Sequence, residues 1–119
     1  MSKIVQAVNS IIANPDAIGM TIQGLQGELY FIYKNRYKWS VQRDRNGDIS
    51  LHYYPGEQSI EQLAKFESFE WDDVDVVTYS SKEIGTREAM SSFLELYTLI
   101  KERLFKVNEV LDDIISDKY

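Results

Sequence analysis

Cysteine is absent from this 119-residue chain, and histidine occurs once, at His52. Disulfides, zinc–thiolate sites and thiol catalysis are therefore excluded, as is any site that needs two histidines from one chain. The lack of cysteine fits a reducing compartment, and we expect a cytoplasmic protein. No apolar run approaches the roughly 18–20 residues of a membrane span, and the N-terminus shows no signal pattern, so we expect no membrane partner.

Proline and glycine are also scarce, with two and six residues, and we find no linker, internal repeat or low-complexity stretch. A chain of this length can bury about two-thirds of its unfolded surface, so we expect residues 1–119 to form a single domain. The 13 Lys and Arg residues are outnumbered by 19 Asp and Glu, for a net charge of −6. That balance disfavours bulk attraction to nucleic acid.

Three runs of alternating residues between residues 28 and 54, joined by short polar turns, predict an antiparallel meander. A two-residue turn at residues 46–47, between the second and third runs, would place Val41 opposite His52. The apolar side chains of one strand would then lie on the polar face of the sheet. A three-residue loop over residues 45–47 places Val41 opposite Leu51 instead. Because a one-residue slip moves every side chain to the other face, burial should select the longer loop.

A three-residue loop in the first hairpin likewise places apolar residues opposite one another. The predicted meander then has two different faces. The core face carries Leu29, Val41, Leu51, Phe31, Trp39 and Tyr53. The other face is half apolar and half polar, with the rows Glu28–Gln42–Ser50, Tyr30–Ser40–His52 and Ile32–Lys38–Tyr54. We expect helices to cover the first face and leave the second available for contact.

Helical periodicity flanks the meander. Apolar spacing predicts helices over residues 2–13 and 86–115, and a capping box predicts a short helix over residues 59–65. Residues 18–22, before the meander, and residues 74–79, after it, also have the composition of strands, so we expect both to extend the sheet. We therefore expect an α+β fold: an antiparallel meander sheet with an N-terminal helix, a short middle helix and a long C-terminal helix, packed mainly on one face.

The long C-terminal helix has an apolar seam with alternating spacings of three and four residues. The seam comprises Met90, Phe93, Tyr97, Ile100, Leu104, Val107, Leu111 and Ile114. A seam of this length packs either within the chain or against a second copy, which makes a homodimer possible. The residues that we expect to carry self-association are Tyr97, Leu99, Ile100, Leu104, Phe105 and Leu111.

Three motif-like patterns are better explained by structure than by chemistry. Residues 44–48 begin like a calcium loop but lack its later glycine and glutamate, and a hairpin turn explains them. Basic and aromatic residues interleave over 34–45, but strand alternation places them on opposite faces, so we expect no nucleic-acid binding. Ser40 and His52 would be neighbours on a flat sheet without an oxyanion hole, so we expect no catalytic residue, and we expect no cofactor or metal.

An acidic segment follows the middle helix. Five carboxylates, Glu67, Glu70, Asp72, Asp73 and Asp75, lie between Phe66 and Val77. Such a segment is most often a solvated acidic face, and the functional alternative is a docking surface for a basic protein partner. The half-apolar sheet face, with Tyr30, Ile32, His52 and Tyr54, is the second candidate surface, because aromatic residues are enriched at interfaces.

The most economical interpretation is a non-catalytic protein-interaction module, of the type that neutralises toxins or acts as a chaperone. The order of elements suggests that comparison only at the level of the fold. One alternative is a small-ligand binder or enzyme with a pocket between the sheet and the long helix, lined by Tyr30, His52 and Tyr54. Another is a structural homodimer formed through the long helix.

Overall fold

The protein is described by a computed structural model, which covers residues 2–116. The helices are α1 (Lys3–Ala13), α2 (Ile60–Ala64), α3 (Ser81–Ile84), α4 (Arg87–Leu104) and α5 (Val107–Ser116). The strands are β1 (Ile18–Gln23), β2 (Leu29–Tyr33), β3 (Tyr37–Arg43), β4 (Ile49–Tyr54) and β5 (Val77–Ser80). Two short 3₁₀ helices, Pro15–Ala17 and Ser68–Asp73, lie between these elements.

Within the described residues the strands form one five-stranded antiparallel sheet in the order β1-β2-β3-β4-β5. Each strand therefore pairs with its neighbours in sequence. The predicted register is confirmed: Val41 lies opposite Leu51, and Trp39 lies between Phe31 and Tyr53.

The main core lies between one face of the sheet and the helices α1 and α4. Its buried side chains include Val5, Val8 and Ile11 of α1, Phe93, Leu96 and Ile100 of α4, and Leu29, Phe31, Val41 and Leu51 of the sheet. The Ser92 hydroxyl donates a hydrogen bond of 2.6 Å to the Asn9 side chain, which ties the two helices together. The α+β fold class is confirmed by this arrangement.

A second, smaller apolar cluster covers part of the opposite sheet face. It buries Ile60, Leu63 and Ala64 of α2 against Tyr30 and Tyr54. The predicted capping box opens α2, with the Ser59 and Gln62 side chains bonded to each other's backbone N–H groups. The sheet face that we expected to be available is therefore partly covered by the chain itself.

The C-terminal helix is not continuous, and the prediction of one helix over residues 86–115 is wrong in this respect. Its start is confirmed, because the Thr86 hydroxyl accepts a hydrogen bond from the backbone of Ala89 at 3.1 Å. However, α4 ends at Leu104, and Lys106 adopts a left-handed conformation with φ of +54° before α5 begins. One left-handed residue interrupts the helical hydrogen-bond ladder and redirects the chain.

Both outer strands also differ from their predicted form. Pairing of β1 shifts by one residue between Ile18 and Thr21, so Ile18 packs in the main core while Ile22 packs against the second cluster. The expected alternation of Ile18, Met20 and Ile22 is broken by this bulge. The strand β5 begins at Val77, three residues later than predicted.

The chain is elongated, with principal dimensions of 53 × 33 × 29 Å. In residues 2–116 we find no helix with the length and apolar character needed to cross a membrane.

Candidate functional site

A shallow cavity of about 260 Å³ opens on the sheet face opposite α4. Its lining residues are Gln26, Glu28, Tyr30, Ser40, Gln42, His52, Tyr54, Trp71, Val76 and Thr78. The predicted pocket residues Tyr30, His52 and Tyr54 are thus brought together. Our placement of that pocket between the sheet and the long helix is wrong, because these side chains point away from α4.

Hydroxyl groups form the floor of the cavity. Ser40 Oγ and the Tyr54 hydroxyl share a buried hydrogen bond of 2.7 Å. The Tyr30 hydroxyl donates to Glu28 Oε1 at 3.2 Å. Burial raises the pKa of Tyr30 far above its ordinary value, and nearby Tyr54 and Glu28 add to the shift. Burial also raises the pKa of Tyr54. Both phenols therefore stay protonated at neutral pH.

His52 forms one wall of the cavity and is anchored to the edge strand. Its Nδ1 lies 2.8 Å from the Thr78 hydroxyl, within hydrogen-bonding distance. Burial lowers the pKa of His52 below its usual value of 6.5, against an opposing effect of Glu28. The imidazole is therefore neutral at pH 7. None of the lining residues is Lys or Arg, and Glu28 is the one acidic residue among them.

The acidic segment contributes Trp71 and Val76 to the lining of the same cavity, whereas none of its five carboxylates lines it. In the 3₁₀ helix Ser68–Asp73, Trp71 turns inward, with its ring centroid 6.0 Å from that of Tyr54 and 5.6 Å from that of Phe66. Phe69 points outward and is 74% exposed. Of the predicted acidic residues, Glu67, Asp72, Asp73 and Asp75 are exposed and Glu70 is half-buried. The two candidate surfaces therefore meet at Trp71.

Several lining residues were not among the predicted site residues. Glu28 and Gln42 share a sheet face with His52, and strand alternation already carried that information. Trp71 had no comparable signal, because its position depends on how the acidic segment folds back on the sheet. Ile32, which we included, packs against the second cluster and is not a cavity residue.

The predicted self-association residues separate into two groups. Ile100 is fully buried in the main core, and Tyr97, Leu99 and Leu104 pack partly against that core. Phe105 and Leu111 remain exposed. Self-association through Ile100 would require the core to open, so the largest exposed apolar surface in this set belongs to Phe105, just after α4, and to Leu111 in α5.

No family model matches this chain, nor does any curated protein or solved structure. Over residues 2–116, no three His, Cys, Asp or Glu side chains are grouped so that they could hold a metal ion. Function is therefore argued from the geometry and charge of the site itself.

Proposed function

We propose that this protein is a non-catalytic interaction module that binds a basic segment of a partner protein and receives one cationic side chain in the cavity beside Trp71. The observation that carries this proposal is the charge of the cavity. A carboxylate, Glu28, lies in an aromatic-walled recess that Lys and Arg do not line, and the segment that supplies Trp71 carries four exposed carboxylates.

The cavity is suited to an arginine side chain. A guanidinium group can stack on an aromatic ring while donating hydrogen bonds to a carboxylate, and Trp71 and Glu28 line the same recess. The surrounding acceptors, which include Gln42 and Thr78, can take the remaining N–H donors. A volume of about 260 Å³ is small for a drug-sized ligand but adequate for one side chain of a larger partner.

The acidic segment supplies the means of attracting and holding that partner. The four exposed carboxylates near Trp71 raise the local concentration of a basic segment and speed its association. Phe69, which is largely exposed, and Val76 and Val77, which are 44% exposed, offer apolar contacts beside the charges. Aromatic anchors surrounded by polar residues are the usual anatomy of a protein interface.

The test is an NMR titration with a capped peptide, Lys-Ala-Arg-Ala-Lys, against the same peptide with citrulline in place of arginine. Citrulline keeps the shape of arginine and removes its charge. We expect the arginine peptide to shift the signals of Glu28, His52, Thr78 and the Trp71 indole, and to bind about tenfold more tightly than the citrulline peptide. Glu28→Gln should abolish that difference.

Matched charge variants separate the acidic segment from general electrostatics. Asp72→Asn/Asp73→Asn/Asp75→Asn should weaken binding of the arginine peptide about tenfold at low salt, and less at high salt. The control, Asp16→Asn/Glu88→Gln/Glu95→Gln, removes the same charge elsewhere and should change affinity less than twofold. Equal losses in both variants, or equal affinity for the two peptides, would contradict the proposal.

A second candidate, binding of a small polar molecule, is favoured by the concavity of the site and its neutral His52. In that case, uncharged polar fragments would shift the same Trp71 and His52 signals while the arginine peptide would not. A screen of such fragments by the same NMR measurement distinguishes the two functions.

A further inference from the structure

The α5 helix has an apolar face that the described residues do not cover. Val110, Leu111, Ile114 and Ile115 recur at intervals that place them on one side of the helix, and Ile114 and Ile115 are 63% and 78% exposed. The opposite side carries acidic residues. Short amphipathic helices are stabilised mainly by packing their apolar side against other elements, and α5 lacks such packing along most of its length.

A groove of matching character follows one side of α4. Two adjoining depressions, of about 400 and 310 Å³, share Arg43 as a lining residue. Met90 and Leu94 line the first, beside the β3–β4 loop, and Tyr97 and Phe105 line the second. Residues 90–105 extend about 22 Å along the helix axis, which is enough to hold the ten-residue α5, about 15 Å long.

The charges of the two surfaces are complementary. Arg43, Lys82 and Lys101 line the groove, and α5 carries Glu109, Asp112 and Asp113. The groove also contains two carboxylates, of Asp48 and Glu102. The Asp48 oxygens already accept hydrogen bonds from Ser80, Ser81 and the backbone of Lys82, which stabilise the ionised carboxylate and leave its charge in place. The three cations of the groove still outnumber its two carboxylates, so its net charge is opposite in sign to that of α5.

We propose that two copies of this chain pair by exchange, each placing its α5 helix in the α4 groove of the other. The α5 helix follows the left-handed Lys106, and its residues 108–116 are all exposed, so a second copy can receive it. Such an exchange is isologous: both grooves are filled, and the assembly closes as a dimer. This surface is separate from the cavity at Trp71, so either proposal can fail without the other.

The first experiment is sedimentation equilibrium of the full chain over a range of concentrations. We expect a dimer that dissociates on dilution. Leu111→Glu/Ile114→Glu should weaken the dimer at least about a hundredfold, because two carboxylates would enter an apolar contact. The control Ser116→Glu adds a carboxylate to the acidic side of α5 and should have little effect compared with the single variant Ile114→Glu, with circular dichroism confirming that the variants fold.

Charge reversal identifies the two surfaces as partners. Lys82→Glu/Lys101→Glu in the groove and Asp112→Lys/Asp113→Lys in α5 should each weaken the homodimer about tenfold or more. A mixture of the two variants should form heterodimers, because every acidic helix then meets a basic groove and every basic helix an acidic groove. A monomeric wild type, a dimer insensitive to the α5 substitutions, or the absence of heterodimers in the mixture would each overturn the proposal.

Discussion

Asp48 fastens the β3–β4 hairpin to the edge of the sheet. Its Oδ2 accepts a hydrogen bond from the Ser80 hydroxyl, and its Oδ1 accepts from the Ser81 hydroxyl and the Lys82 backbone N–H, each at 2.8 Å. Burial acts to raise the pKa of this carboxyl, but the hydrogen bonds outweigh it and the pKa lies below its usual value of 3.8. One carboxylate thus joins β4, β5 and the start of α3.

We predict that Asp48→Ala lowers the free energy of unfolding by about 1–3 kcal/mol, because three donors lose their acceptor. Since the pKa of Asp48 is lower in the folded than in the unfolded chain, its contribution is fully present above pH 3.8 and is lost as the pH falls through the folded-state value. Urea unfolding at pH 2–7 measures both effects. The exposed Asp16→Ala is the control and should change stability by less than about 0.5 kcal/mol.

If the wild type and the Asp48→Ala variant have the same free energy of unfolding at pH 7, the three hydrogen bonds make no net contribution to stability. If instead the difference between them persisted unchanged at pH 2, the effect would come from packing rather than from the ionised carboxylate.

Single residues explain why strand register could be predicted from the sequence. Gly47 has a φ of +86°, as the three-residue loop requires. Only one register of the two strands around this loop buries the apolar side chains of both on the same face. In the first hairpin Lys34 and Asn35 take positive φ values of 55° and 58° without a glycine to indicate them. The register was still predictable there, because apolar side chains had to share one face.

Helix α4 shows how far a heptad pattern predicts burial. Phe93 and Met90 belong to the same predicted seam, yet Phe93 is fully buried and Met90 is 51% exposed. The buried side instead includes Ala89 and Leu96, which lie outside that seam. A helix packed on a twisted sheet buries a broader stripe than the a/d seam of a coiled coil.

We therefore predict very different costs for two substitutions within one seam. Phe93→Ala should destabilise the protein by about 3–5 kcal/mol, because it leaves a cavity in the main core. Met90→Ala should cost less than about 1 kcal/mol, since half of its side chain already contacts solvent. Denaturant midpoints at low protein concentration measure both, and similar losses for the two would contradict the described packing.

Other features of the elements could not be predicted. The break at Lys106 has no glycine or proline to mark it, and the apolar spacing continues across it. The sequence of α2 shows that it has one apolar side but not which sheet face that side covers. The cavity is therefore only partly predictable: Tyr30, His52 and Tyr54 follow from strand alternation, whereas Trp71 depends on α2 and the acidic segment crossing to the second face.

At the scale of the whole molecule, the sheet separates a large core from a small one. Trp39 packs against the large core and Trp71 against the small one, so each tryptophan reports on one side. The small cluster buries Tyr30, Tyr54 and three residues of α2. Regions with few buried apolar contacts open at lower free energy than the core.

We predict that the fluorescence of Trp71, measured in a Trp39→Phe variant, changes at lower urea concentration than that of Trp39, measured in a Trp71→Phe variant. Comparing each curve with unfolding followed by circular dichroism corrects for any stability lost through the substitution itself. Coincident transitions after that correction would mean that both sides of the sheet unfold as a single cooperative unit.

The packing of α1 against α4 has a consequence for biosynthesis. The meander joins strands that follow one another in the chain, so it can assemble soon after each segment leaves the ribosome. The apolar side of α1 is different, because its cover includes Phe93 and Leu96, which are synthesised some eighty residues later. At about 5–20 residues per second, that apolar side stays without this cover for several seconds, and during this interval the nascent chain exposes a surface of the kind that aggregates.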